Sequence, residues 1–235
     1  MKTGLALAAL LGSTAGAPAM EGARLQPGTA CYAIARGDET IGTTLQTITA
    51  AQAAGKPAWD IVVHQKLANG SFDMRDHLVV ERATLLPISL DSRRGRDPGA
   101  KGWHRISLRY RDGRVSGTRE TATGTTPIDA PLMGPTWDGN LWGVTFAALP
   151  LRDGGTYSLP FWHHDQGPGA FTVRVVGSEE VATPSGKVAA WILEAGTDPA
   201  RLSRYVIARA TRQELGYSAG PITQRLALPD LCEAQ

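Results

Sequence analysis

Residues 171–191, FTVRVVGSEEVATPSGKVAAW, constrain the fold more than any other stretch, because they spell two alternating strands joined by one tight turn. Phe171, Val173 and Val175 share one parity with Arg174 opposed, and Val188, Ala190 and Ile192 alternate beyond the turn. Such a period of two places one face against a core and the other in water. Between the strands lies Thr183-Pro184-Ser185-Gly186, where proline presets φ and glycine accepts a positive φ, so the chain reverses without strain. The stretch is predicted to be a β-hairpin, and it carries no group that demands a reaction.

The same grammar runs along the chain. Asn69-Gly70, Asp112-Gly113 and Gly154-Gly155 are further turn signals between runs rich in β-branched and aromatic residues. Strands are predicted near 30–36, 40–48, 59–68, 71–82, 103–111, 114–121, 156–163, 170–182, 187–195, 203–210 and 213–218. One short helix is expected from Trp137 to Ala148, capped by Thr136, with Trp137, Leu141, Val144 and Ala148 on one face. Gly139 and Gly143 each weaken that helix by about 1 kcal/mol relative to alanine. The fold class is all-β with this one helix: an antiparallel curved sheet forming a half-barrel, a barrel or a sandwich. Alternating βαβ units are absent, which argues against a doubly wound fold.

The run V-x-G-x-E-x-V-x-T-P-x-G-x-x-x-A-W, present as Val175, Gly177, Glu179, Val181, Thr183, Pro184, Gly186, Ala190 and Trp191, resembles the signature hairpin of the domain of unknown function 3108 family, exported proteins of bacteria. Leu149-Pro150-Leu151-Arg152-Asp153-Gly154 is similar to that family's lead-in to a strand, and Arg204 to Ala208 falls where the family has another. The motif-level likeness covers residues 130–217, and the first half fits only as a strand pattern. The resemblance implies a periplasmic or surface β domain without a known activity, with an open half-barrel similar to lipoprotein carriers.

Residues 1–19 read as a secretory signal, with Met1-Lys2 as the positive start, Leu5 to Leu11 as the apolar core and Ala17-Pro18-Ala19 as the cleavage site. The apolar run is far short of the ~20 residues a membrane-spanning helix needs, so no transmembrane span is expected. Cleavage near Ala19 would leave residues 20–235 as one β domain in the periplasm or outside the cell. Without Lys2 the chain has 23 basic against 22 acidic groups, and near-neutrality gives no reason to expect nucleic acid as a partner. Cys31 and Cys232, the two cysteines, lie near the ends of the mature chain. In an oxidising compartment such a pair is expected to form a disulfide, the alternative being two unpaired thiols near the ends.

Several constellations bear on chemistry. Gly216-Tyr217-Ser218-Ala219-Gly220 matches the nucleophile elbow, but no histidine follows Ser218 and Pro221 comes three positions on, so the match is read as a strand end. His163-His164-Asp165 gathers two imidazoles and a carboxylate, yet adjacent strand residues point to opposite faces, so both rings reach one metal only if the backbone leaves the β conformation. Residues 91–120 carry nine basic groups against Asp91, Asp97, Asp112 and Glu120, a docking face for anionic lipid, lipopolysaccharide or an acidic partner unless the arginines find carboxylates elsewhere. Trp137, Trp142, Phe146 and Trp162 cluster in sequence and are the candidate ligand cavity, with core packing as the alternative.

No catalytic residue, metal or cofactor is assigned. The leading expectation is a non-enzymatic domain that binds an apolar or amphiphilic envelope ligand, or a protein partner, in or beside a half-barrel cavity. Its competitors are an envelope hydrolase using His163, His164 and Asp165, and a structural or assembly protein with a filled core. The hydrolase requires two or more of His163, His164, Asp165, Asp138 and Glu194 in one concave site, and the carrier requires the largest pocket to be apolar and lined by tryptophans.

Overall fold

A computed structural model describes residues 17–233. Most of the expected signal segment therefore lies outside the described residues. The strands are β1 (Gly28–Arg36), β2 (Glu39–Ala53), β3 (Lys56–Leu67), β4 (Asp73–Glu81), β5 (Pro87–Arg94), β6 (His104–Arg111), β7 (Arg114–Thr121) and β8 (Gly124–Pro131). They continue as β9 (Trp137–Asp138), β10 (Thr156–His163), β11 (Gly167–Thr183), β12 (Gly186–Gly196), β13 (Ser203–Ala208), β14 (Glu214–Ala219) and β15 (Ile222–Ala227). Two short helices, α1 (Trp142–Ala147) and α2 (Asp230–Glu233), complete the pattern with a 3-10 turn at Gly22–Arg24.

All 15 strands belong to one sheet in the order β8-β7-β6-β5-β4-β3-β2-β1-β15-β14-β13-β12-β11-β10-β9. Two meanders are thus joined where the first strand pairs with the last, Cys31 opposite Ala227 and Arg36 opposite Ile222. Every pairing is antiparallel except β9 with β10. The sheet is curved and barrel-like but not closed into a barrel, and among the described residues there is no second sheet as a sandwich requires. β8 and β9 are its two edges, and only the short connection 132–136 separates them in sequence, so the sheet must curl until the edges approach.

The curl encloses one contiguous core. Trp59, Ile61, Leu78, Leu90, Ile106 and Leu108 line it from β3 to β6, and Leu159, Val173 and Leu193 from β10 to β12. Helix α1 fills the space between these walls with Val144 and Phe146, followed by Ala147, Ala148 and Leu149, all buried. Strand β9 is tucked against the opposite wall: the Trp137 indole donates to Thr84 O at 3.0 Å, and the Tyr110 hydroxyl donates to Asp138 Oδ2 at 2.5 Å. The interior is therefore largely filled.

The hairpin of residues 171–191 is present as β11 and β12, with Thr183 opposite Gly186 across the turn. A register shift between Val175 and Gly177 changes which face is buried partway along the strand. Before the bulge Val173 and Val175 enter the main core, and beyond it Val181 joins Val188, Ala190, Ala208 and Leu215 in a small cluster on the other side of the sheet.

Two expectations about secondary structure need correction. The helix is shorter than residues 137–148, because Trp137 and Asp138 pair with β10 and α1 starts only at Trp142. Thr136 does not cap it, since its hydroxyl donates to Gly134 O at 3.0 Å. Trp137, Leu141, Val144 and Ala148 are nonetheless all buried. Strands β5, β8, β9 and β15 fall outside the predicted set: β5 and β8 contain proline, β9 is two residues long and β15 is short and half polar, so none offers the apolar run on which strand prediction rests.

Candidate functional site

Among the concave regions of the described residues, three bear on the candidate residues. The most voluminous, about 1040 Å³, is a groove on the outer face of β4 to β7, overhung by the β5–β6 connection through Arg96, Pro98 and Trp103. Its floor follows from strand register: Arg75 of β4 is directly opposite Arg93 of β5, which is directly opposite Arg105 of β6. Glu120 of β7 ends the row opposite Arg105. Like charges facing one another across antiparallel strands destabilise a sheet, so this row costs folding energy.

The carboxylates nearby relieve only part of the charge. Asp91 Oδ2 accepts from both Nε and Nη2 of Arg105, at 3.0 and 2.6 Å, and Asp73 takes Arg96 at 2.6 Å. Burial would raise the Asp73 carboxyl, but Arg96 and His64 hold it below the usual carboxylate value. Arg75, Arg93 and Arg109 have no ion pair among the described residues and line the groove floor. The Trp103 indole N–H at the rim is buried without a hydrogen-bond partner. The arginines of residues 91–120 thus divide into paired and unpaired sets, a division that strand parity alone did not reveal.

A second space of about 720 Å³ lies beside the β10–β11 turn, among Arg94, Arg96, Lys101 and His104, and it is lined by His163, His164 and Asp165 together, the convergence that the hydrolase reading requires. The chain leaves the β conformation after His163, so His163 and His164 do not point to opposite faces; their rings stack with centroids 4.3 Å apart. Their ligand atoms and those of Asp165 lie within 4.8 Å of one another. Asp165 is, however, engaged by Arg119 of β7, and its backbone N–H donates to His163 Nδ1 at 3.1 Å. Burial, reinforced by the adjacent His163 ring, pushes the His164 imidazole down to about 4. Glu194 is remote on β12, and Asp138 is buried between Tyr110 and Asn140.

The third space, about 330 Å³, lies within the curl of the sheet between α1 and the walls of β2 to β5 and β13 to β15. It is lined by Thr44, Gln65, Asn140, Trp142, Tyr205, Tyr217, Glu214 and Gln224, with the Asp76–Arg94 ion pair at one side. Of the candidate cavity residues only Trp142 lines it, while Trp137, Phe146 and Trp162 are packed in the core at 2%, 0% and 6% exposure. Sequence reasoning missed Glu214, whose signal is weak: a lone acid at the start of a strand. Burial raises its carboxyl to about 7.

Cys31 of β1 and Cys232 of α2 form a disulfide across 201 residues of sequence. Ser218 sits inside the β14–β15 hairpin opposite Thr223, so no helix follows it and no elbow exists. Among the described residues no helix is long and apolar enough to cross a membrane.

Known proteins agree with this architecture. The model of the family described as a protein of unknown function, DUF3108, matches residues 31–217, and the chain belongs to that family. The match takes in the first half of the chain, beyond the region where motifs are recognisable. No curated protein matches the sequence. Among solved structures, the chain is similar to a β-barrel-like protein of the domain of unknown function DUF1849 from Brucella abortus. That similarity has a TM-score of 0.52 at 12% identity and covers 87% of this chain and 97% of the other, which shows the fold alone.

Proposed function

We propose that residues 20–235 form an exported, non-enzymatic binding domain that holds an anionic envelope amphiphile by its head group in the arginine groove. The Arg75–Arg93–Arg105 row carries this reading, because Asp91 holds only Arg105 and leaves Arg75 and Arg93 facing each other, an arrangement that costs stability unless an anion lies across them. Arginine forks match phosphate and carboxylate oxygens in a bidentate way, which suits a charged head group better than a diffuse acidic surface. The filled interior supports attachment by the head group from outside rather than enclosure of an apolar tail. An exported location is consistent with the disulfide.

The test is sedimentation of the mature protein with vesicles of phosphatidylcholine alone and of phosphatidylcholine with phosphatidylglycerol. Binding is expected only to the anionic vesicles, weakening with salt as exposed charge pairs do and lost in an Arg75→Ser/Arg93→Ser variant. Equal binding to both vesicle types, or no binding at low salt, would defeat the proposal.

A further inference from the structure

The lumen cavity holds an acid for which the protein supplies no partner. Glu214 is 6% exposed, and among the described residues no hydrogen bond reaches its carboxyl. The carboxyl lies against α1 at Gly143, where a methyl group on the α-carbon would fall 1.7 Å from Oε2, so only glycine leaves room for it. A register shift between Val206 and Ile207 of β13 lets Glu214 and Tyr217, at odd spacing, line the same cavity. An unpartnered buried carboxyl costs several kcal/mol in principle, and such groups concentrate at functional sites.

Its surroundings are aromatic. Tyr205 and Tyr217 have ring centroids 5.6 Å apart, Tyr205 packs edge-on against Phe146, and Trp142 also lines the cavity. The other charged and titratable groups facing this region are accounted for. Arg94 is held by Asp76 at 2.6 Å, Arg212 by Glu21 at 2.5 Å, and the Tyr32 hydroxyl donates to the Glu214 backbone carbonyl at 3.0 Å. Burial, with the nearby Glu214 carboxyl, holds the Tyr32, Tyr205 and Tyr217 hydroxyls protonated. Arg24 shares the same Glu21 oxygen at 2.9 Å, but neither Arg24 nor Arg212 lines the cavity, where Asp76 and Arg94 pair and Glu214 alone is left without a counter-charge.

A carboxylate with no cation, walled by Trp142, Tyr205 and Tyr217, has the chemistry that attracts an organic ammonium group to aromatic faces. We propose that the lumen cavity binds a small organic cation, its ammonium group against Glu214 and the Tyr205 and Tyr217 rings, with Trp142, which packs on Phe171, lining one side. The site is separate from the arginine groove, and neither reading depends on the other.

Titration with choline, followed by the indole N–H resonance of Trp142, tests this directly. Saturable binding is expected, about tenfold tighter at pH 8 than at pH 6, because the cation needs the ionised carboxylate. Glu214→Gln keeps the shape and removes a buried charge, so it should fold at least as well as the parent while losing tenfold or more in affinity and all of the pH dependence. Tyr205→Phe should bind as the parent does, and Tyr205→Leu should bind more weakly. The idea is overturned by the absence of a saturable shift, by Glu214→Gln binding as the parent does, or by glucose, a neutral probe of similar size, binding equally well.

Discussion

Arg119 of β7 and Asp165 of the β10–β11 turn meet at 2.5 Å, although β7 adjoins one edge strand of the open sheet and β10 the other. The contact spans the seam that no backbone ladder closes. Both side chains are partly exposed, at 35% and 45%, so solvent screens the attraction. Arg119→Ala should therefore cost no more than about 1 kcal/mol of global stability. It should, however, raise hydrogen exchange in β8 and β9, the edges that meet there. Unchanged exchange at both edges would show that the seam is held by other contacts.

The disulfide joins α2 to β1 beside the junction of the two meanders. With the cysteines 201 positions apart, loss of the cross-link frees the unfolded chain by on the order of 5 kcal/mol in the chain-entropy model. A Cys31→Ser/Cys232→Ser variant should unfold at much lower denaturant than the oxidised parent, and the reduced parent should match the variant. Coincident curves for oxidised and reduced parent would refute this.

Gly143 of α1 lies directly against the Glu214 carboxyl. Alanine at an ordinary helix position stabilises by about 1 kcal/mol relative to glycine, but here overpacking against a buried side chain should cost about 1–3 kcal/mol. In a Glu214→Ala background the same substitution should cost nothing. Equal effects in both backgrounds, measured by denaturant unfolding, would rule out the contact as the cause.

Stability should fall as the solution turns alkaline. Burial raises the Glu214 carboxyl to about 7 and the Asp138 carboxyl to about 6, so each favours folding while protonated and loses that contribution as pH rises through its folded value. His164, pushed down to about 4, acts in the opposite sense below its unfolded value near 6.5. The clean window is therefore above pH 6.5, where a decline of about 1 kcal/mol by pH 8.5 is expected. Glu214→Gln should flatten most of it, and a rising curve in that window would contradict the assignment.

The arginine row makes a prediction for the unliganded protein. Arg93 has an arginine directly opposite on each side. Arg93→Ser should leave the protein as stable or more stable by about 0.2–1 kcal/mol at low salt, and the gain should vanish at high salt. A clear loss of stability at low salt would mean that Arg93 has a structural role.

Local pattern made much of the scaffold legible. Alternation and turn residues depend on nearest neighbours in the chain, so the hairpin of residues 171–191 and the strands through His64, Arg109 and Phe161 could be read directly. The reading failed where pairing, not composition, makes the strand. β5, with the sequence PISLDSRR, is a strand because β4 and β6 hydrogen-bond to it on both sides, and β8 tolerates Pro127 and Pro131 because it is an edge.

The amino-acid sequence by itself determined the all-β class, the family, the turns and which residues alternate, all consequences of short-range backbone chemistry. Tertiary structure decided the rest, because register and curvature are set by distant strands. Only the pairing of β4, β5 and β6 puts Arg75, Arg93 and Arg105 in a row, and only a bulge in β14, at Leu215, brings Glu214 and Tyr217 to one cavity. Only the curl of an open sheet packs Trp137, Phe146 and Trp162 into a core while leaving Trp142 beside an acid that has no partner.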